Sequence, residues 1–125
     1  GEAKQFEHFD RLIQAYQPVY QAELTLEGKY TELVMYFNAP QPDREAFYVK
    51  AKQYARIAEQ EMSAYSGYKL FLYGFSITTI QHQIIHDHEQ LLKSCDRAIA
   101  YFKSRKDRSS SVALFSFSFK KIHLP

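Results

Sequence analysis

The chain has 125 residues and a mass of 14.7 kDa, which corresponds to one compact domain or a few units of a larger array. Its hydrophobic content of 46% and charged content of 24% exclude a wholly disordered chain. The net charge of +2 is too small to indicate nucleic-acid binding by itself. No apolar stretch approaches the roughly 20 residues that a membrane helix needs, and a single cysteine excludes an internal disulfide framework. We therefore expect one globular, cytoplasmic domain over residues 1–125.

Aromatic side chains are the most unusual part of the composition. Ten Phe and ten Tyr make up 16% of the chain, and there is no Trp. Such rings bury large areas in cores and interfaces. Only four Gly and four Pro are present, so strong turn signals are few. This scarcity favours long helices with short connections over many short strands.

The first segment is predicted to be helical, because its apolar residues recur at steps of three and four. Pro18 falls inside this pattern, so we expect a kink or a break there. Gly28 then interrupts the chain before a second periodic group begins at Tyr30 and runs to Phe37. The residues of the first group are Phe6, Phe9, Ile13, Tyr16 and Tyr20.

The clearest loop covers residues 39–43, where two prolines cannot continue a helix and Asp43 can cap the next one. The helix that follows is predicted to end at Ser66-Gly67. Its apolar residues recur at helical spacing over about five turns: Phe47, Ala51, Tyr54, Ala58, Met62 and Tyr65.

Residues 68–85 are apolar nearly all round and rich in β-branched side chains, which suits either a buried helix or a buried strand. The segment is much longer than an ordinary strand of about 5–6 residues, so we favour a helix. Asp87 and Gln90 have the spacing of a capping box at the start of the next helix. That helix is indicated by an apolar stripe: Leu91, Leu92, Cys95, Ala98, Ile99 and Phe102.

The end of the chain combines a predicted polar loop, residues 104–111, with an ambiguous last segment, residues 112–124. Phe115, Phe117 and Phe119 alternate with serines as in a strand, whereas Phe115, Phe119 and Ile122 equally fit one face of a helix. The helical context favours a helix.

The predicted fold is therefore all-α, with antiparallel helical hairpins, and two stretches resemble the tetratricopeptide repeat family. Residues 20–38 resemble the turn and second helix of such a hairpin, with Gly28, Tyr30 and Leu33 in the places of the family's turn glycine, aromatic residue and packing residue. Residues 86–102 resemble the same second helix. The resemblance implies a short TPR-like α-solenoid, complete or part of a longer array. A helical bundle is the alternative.

The resemblance also implies a non-catalytic protein–protein interaction or regulatory module that needs no cofactor. The last segment would lack the second helix of its hairpin and expose an apolar face, so we expect self-association or further C-terminal repeats to cover it. The candidate partner-binding residues are Tyr30, Tyr36, Tyr54, Tyr65, Tyr73, Phe115 and Phe119.

An alternative function is a metal-binding helical-bundle hydrolase that uses the cluster from His82 to Glu89. His82 and His86 are four residues apart, so on one helix they would share a face and could hold a metal with Asp87. The pair His86-Asp87 also resembles the central dyad of the HD-type metal phosphohydrolases. Cys95 lies in the apolar stripe of its helix, which predicts a buried small side chain rather than a nucleophile.

Charge is unevenly distributed along the chain. Residues 1–89 carry eight basic and twelve acidic side chains, whereas residues 90–125 carry eight basic and two acidic ones. The basic part could contact phosphate, RNA or an acidic partner. We favour a solvated basic loop whose charge complements the acidic part in a stack or an oligomer, and we do not expect nucleic-acid binding.

Overall fold

The computed structural model describes residues 1–41 and 43–123, and every regular element in these residues is an α-helix. The all-α prediction is confirmed, as is the helical prediction for residues 68–85 and for most of the last segment. Residue 124, the last of the ambiguous segment, lies outside the described part together with residue 125. The helices are α1 (Glu2–Phe37), α2 (Arg44–Ala64), α3 (Tyr68–Ile84), α4 (His88–Ser104) and α5 (Arg108–Ile122).

Aspartates cap the starts of α2 and α4. The carboxylate of Asp43 accepts a hydrogen bond from the Ala46 backbone N–H at 3.1 Å, and that of Asp87 accepts one from the Gln90 N–H at 3.1 Å. Each bond satisfies an N–H that has no partner within its own helix. Both predicted caps are confirmed.

The prediction of a polar loop up to Ser111 is wrong, because Asp107 caps a helix there. Its carboxylate accepts a hydrogen bond from the Ser110 backbone N–H at 2.7 Å, and α5 begins at Arg108. The serine run therefore forms the first turn of α5, where Ser110 is buried. A polar composition alone does not distinguish a loop from a capped first turn.

The break considered at Pro18 and the turn assigned to Gly28 are both wrong, because α1 is one continuous helix through both residues. Residues 2–18 are exposed throughout, so water can satisfy the carbonyl that Pro18 leaves without a partner. Gly28 costs a helix only about 1 kcal/mol, and Leu26 and Leu33 pack into the core on either side of it. Tertiary packing thus carries the helix across the glycine.

Helix α3 is central, since each of the other four helices packs against it. Its burial nearly all round explains its lack of an amphipathic pattern. The hydroxyls of Thr78 and Thr79 are satisfied inside the helix, where they donate to the carbonyls of Phe75 and Ser76. Buried threonines in α3 therefore need no partner on a neighbouring helix.

Helix α3 also approaches α2 closely at Gly74. A Cβ atom at Gly74 would lie 2.5 Å from Met62 Sδ on α2, so a larger residue at this position requires the Met62 side chain to shift. Helix α2 also contributes small residues that are almost completely buried in the core: Ala51, Ala55 and Ala58.

An aromatic cluster joins α3 to the C-terminal helices. The rings of Phe75, Phe102 and Phe117 come from α3, α4 and α5, and their centroids are 6.0–6.3 Å apart. Phe102 and Phe117 are stacked, while Phe75 meets both rings edge-on, an arrangement that aromatic quadrupoles favour. Cys95, which also lies on α4, is fully buried, as predicted.

The helices therefore form two groups around α3. Helices α1 and α2 contact each other and α3, as do α4 and α5, and in the described residues α1 does not contact α5. Five helices packed in chain order in this way are compatible with a helical repeat. Among the described residues, no helix has the length and apolar character required to cross a membrane.

Candidate functional site

The most prominent apolar surface near the C-terminus is the side of α5 that faces away from α3 and α4. We call it the α5 outer face. The opposite side of α5 is buried through Ala113 and Phe117. The outer face is exposed at four large side chains: Val112 (68%), Phe115 (71%), Phe119 (53%) and Ile122 (77%). The open apolar face that the sequence predicted for this helix is present.

The surroundings of the α5 outer face are basic. Lys121 forms an ion pair with Asp96 at 2.6 Å, and Lys120 lies over the Phe117 ring, with Nζ 5.0 Å from its centroid. Burial lowers the pKa of Lys120. The loop before α5 adds Lys106 and the first residue of the helix, Arg108, both exposed. Cations thus lie at the start of the apolar face, whereas at its end Lys120 lies over the buried ring of Phe117 and Lys121 is paired with Asp96.

The tyrosines predicted to bind a partner do not form one exposed surface. Four of them are half-buried against the core: Tyr30, Tyr36, Tyr54 and Tyr73. Tyr30 and Tyr73 contact each other, with ring centroids 5.6 Å apart, and Tyr36 stacks on Phe47. Tyr65 is exposed at the end of α2. The buried part of each of the four rings stabilises the packing of α1, α2 and α3.

Glu32 is the centre of a polar cluster between α1 and α2. Its two carboxylate oxygens accept hydrogen bonds from the Lys50 ammonium and from the Tyr54 hydroxyl. These bonds, first that from Lys50 and then that from Tyr54, lower the pKa of Glu32. The pKa of Lys50 is raised, chiefly by its hydrogen bond to Glu32.

This cluster predicts a pH dependence of stability. Because the pKa of Glu32 is lower in the folded than in the unfolded chain, its contribution to stability is present above about pH 4.5. It is lost as the pH falls through the folded-state pKa. We expect Glu32→Gln to lose less of its free energy of unfolding than the wild type between pH 6 and pH 3, as measured by urea denaturation.

A matched control is Glu61→Gln, since Glu61 makes no side-chain hydrogen bond or ion pair within residues 1–41 and 43–123. This control should follow the wild-type curve. Equal slopes for Glu32→Gln and the wild type would show that the cluster does not contribute to acid sensitivity.

The predicted metal residues do not share a helical face. Helix α3 ends at Ile84, and His86 adopts a left-handed conformation with φ of 54°. The Asp87 N–H donates to the His82 carbonyl and the His86 N–H to the Gln83 carbonyl, which is a Schellman-type helix end. The spacing argument for His82 and His86 is therefore wrong, because the chain turns between them.

His82 and Asp87 are each engaged locally. His82 is half-buried on α3, and this burial lowers the pKa of its imidazole. The Asp87 carboxylate is the N-cap of α4. Within the described ranges, no three His, Cys, Asp or Glu side chains come close enough to hold a metal ion.

A second exposed apolar surface lies on α1, where the apolar spacing predicts a helix but not its exposure. We call residues 2–18 the arm. Its apolar residues at alternating three- and four-residue steps, together with Tyr20, are the arm stripe. Every residue of the arm is exposed, and the stripe consists of Phe6 (68%), Phe9 (59%), Ile13 (56%), Tyr16 (51%) and Tyr20 (43%). The signal that could have identified it is the strict alternation of three- and four-residue steps, which is typical of a coiled coil.

Comparison of the chain with protein-family models, with curated proteins and with solved structures found no match. The resemblance to the tetratricopeptide repeat family therefore rests only on the residues that carry it. Of these, Leu33 packs into the core and Tyr30 packs against it, but Gly28 does not form a turn.

Proposed function

We propose that this chain is a non-catalytic protein-interaction module that binds an amphipathic helix of a partner protein on its α5 outer face. The observation that carries the proposal is the exposure of four large apolar side chains on one side of α5. Burying such a side chain fully stabilises a complex by about 1.5–3 kcal/mol. Contiguous apolar surface of this kind marks interaction sites in soluble proteins.

A helix is the partner that matches the shape of this face. The exposed residues lie at positions 112, 115, 119 and 122, along about 15 Å of helix. Ridges of side chains on one helix pack into the grooves of another. In the proposed arrangement the pairs α2–α3 and α4–α5 act as the stacked hairpins of a TPR-like module, and the bound helix continues the stack.

The charge of the partner follows from the basic border of the α5 outer face. Lys106 and Arg108 lie near its start and are exposed, whereas near its end Lys121 is paired with Asp96 and Lys120 lies over the Phe117 ring. A helix with Glu or Asp beside its apolar residues would place opposite charges against this border. Such complementarity affects specificity and the rate of association more than affinity.

The proposal is tested with two synthetic helical peptides that share a leucine face and differ in their flanking residues. One carries Glu and the other Lys at the flanking positions. We expect saturable binding of the Glu peptide, measured by NMR titration, with shifts confined to α5 and the end of α4. The Lys peptide should bind at least about tenfold more weakly, since like charges then meet.

The double variant Phe115→Ser/Phe119→Ser should bind the Glu peptide at least about 30-fold more weakly, as expected for loss of an apolar hot spot. The control Phe6→Ser/Phe9→Ser carries the same changes on the arm and should bind as the wild type does. Failure of the Glu peptide to bind, or equal binding by both double variants, would contradict the proposal. A dimer in which two α5 outer faces cover each other would contradict it as well.

A further inference from the structure

We propose that the arm of α1 pairs with the arm of a second copy of this chain as an antiparallel two-helix coiled coil. The surface concerned is separate from the α5 outer face, so this inference goes beyond the proposed function and does not depend on it. It rests on the spacing, the direction, the flanking charges and the area of the arm stripe.

The spacing favours a helix as the partner. From Phe6 to Tyr20 the stripe advances by three, four, three and four residues, which is the a/d pattern of a heptad repeat. This pattern gives a narrow seam that fits one facing helix, in contrast to the broader stripe of a helix packed on a globular core. Residues 2–18 contribute no buried side chain to the rest of the described chain, residues 19–41 and 43–123, which we call the body.

The arm stripe faces away from the buried side of α1, so a partner helix can reach it as far as Tyr20, which lies beyond the arm. Ala22, Glu23, Leu26 and Leu33 define the side of α1 that is buried in the body. At 3.6 residues per turn, the arm stripe points roughly 130° away from that side. Tyr20 is 43% exposed although Ala22, two residues further along α1, is buried, which fits a face directed away from the body. A second helix can therefore lie along the stripe without meeting α2 or α3.

The flanks of the stripe favour a second copy over a charged partner. Between Phe6 and Tyr20, the flanking positions are Asp10, Leu12, Gln17 and Val19, so only one of them carries a charge. Flanking charges normally select the partner of a coiled coil, and like charges there oppose self-pairing. The charged pair Arg11 and Glu7, 4.0 Å apart, lies on the opposite side of the arm. Two identical arms can thus meet without repulsion.

The area of the stripe is large enough for a stable dimer. An aromatic side chain can bury about 150–250 Å², so five residues exposed at this level offer on the order of 500 Å² per copy. With the flanking residues, this approaches the roughly 800 Å² per partner of a standard interface. Isolated helices of about 15 residues are marginal in water, so pairing would also stabilise the arm itself.

The antiparallel orientation follows from the position of the body. The body begins at the C-terminal end of the arm, so a parallel pair would crowd the two bodies together at one end. An antiparallel pair centred near Ile13 separates them. It places Phe6 of one copy beside Tyr20 of the other, and Phe9 beside Tyr16.

The test is sedimentation equilibrium of the 125-residue chain over concentrations from about 1 to 200 μM. We expect a dimer of the 14.7 kDa chain. Ile13→Lys places a charge at the centre of the seam and should raise the dissociation constant at least 100-fold. Gln14→Lys adds the same charge one residue away, off the stripe, and should leave the dimer intact.

Two further measurements separate this proposal from the others. Phe115→Ser/Phe119→Ser should dimerise as the wild type does, whereas a monomer would place the contact on α5. Ile13→Lys should keep the helical circular dichroism and melting behaviour of the body, because the Ile13 side chain is 56% exposed. A monomeric wild type at 200 μM, or an Ile13→Lys variant that still dimerises, would overturn the proposal.

The orientation is tested by spin labels at Lys4→Cys, which is exposed, while the native Cys95 is fully buried. Antiparallel arms centred near Ile13 place the two labelled backbones about 30 Å apart, from a rise of 1.5 Å per residue. Parallel arms would place them at about 10 Å, the ordinary spacing of packed helices. The shorter distance would overturn the antiparallel arrangement.

Discussion

Phe102→Ala is expected to lower the free energy of unfolding by about 3–5 kcal/mol, the usual cost of removing a buried aromatic side chain. Phe102 is 1% exposed, and its ring contacts those of Phe75 and Phe117. Tyr68 also meets this ring edge-on. One side chain thus contributes to the packing of α3, α4 and α5, and its loss leaves a cavity between them. Urea denaturation followed by circular dichroism measures the effect.

The matched control for Phe102→Ala is Phe115→Ala, the same substitution on the α5 outer face. Phe115 is 71% exposed, so its removal should change stability by less than about 0.5 kcal/mol. Both variants are compared at concentrations where the chain is monomeric. If they lost similar amounts of unfolding free energy, the aromatic cluster would not be the core of the C-terminal half.

Leu26→Ala is expected to cost about 2–5 kcal/mol, because a fully buried leucine on α1 is replaced and the site cannot fully collapse. Leu26 anchors α1 to the body together with Leu33. Hydrogen exchange should show loss of protection first in α1, since α4 and α5 do not contact that helix in the described residues. Chemical denaturation gives the change in stability.

Leu24→Ala is the control two residues away, where the side chain is 44% exposed. We expect a change within about 0.5 kcal/mol. If Leu24→Ala proved as destabilising as Leu26→Ala, the side of α1 that packs against the body would have been assigned incorrectly.

The two exposed surfaces have different consequences for assembly. The arm stripe is nearly self-complementary and is proposed to close a symmetric dimer, which has no free end. The α5 outer face has a basic border and remains open in such a dimer. A dimer of this kind would present two copies of the α5 outer face to partners, and bivalent binding can exceed the affinity of either site alone.

Much of the fold could be predicted because it depends on local patterns. Helices α2 and α4 were expected from their apolar spacing, and their starts from Asp43 and Asp87, since capping is satisfied within three residues of the aspartate. Burial of Cys95 followed from its place in the stripe of α4. The start of α5 was missed although Asp107 is a cap of the same kind, because the serines after it resemble a loop.

The candidate surfaces were predicted less completely. Phe115 and Phe119 were expected to lie open and do so. Exposure of the arm stripe was not anticipated, because an apolar stripe on a helix indicates a buried face without showing what buries it. The half-burial of Tyr30 and Tyr73 depends on the approach of α1 to α3, which a single segment does not encode.

The amino-acid sequence by itself determined that this chain is helical and where most of its helices lie, because periodicity and capping act over a few residues. Tertiary structure decided the rest. It carried α1 across Gly28 and surrounded α3 on nearly all sides, while a local Schellman-type helix end turned the chain at His86 so that His82 and His86 diverge. It also left the arm stripe and the α5 outer face without a cover, since which apolar face is buried depends on contacts between distant segments.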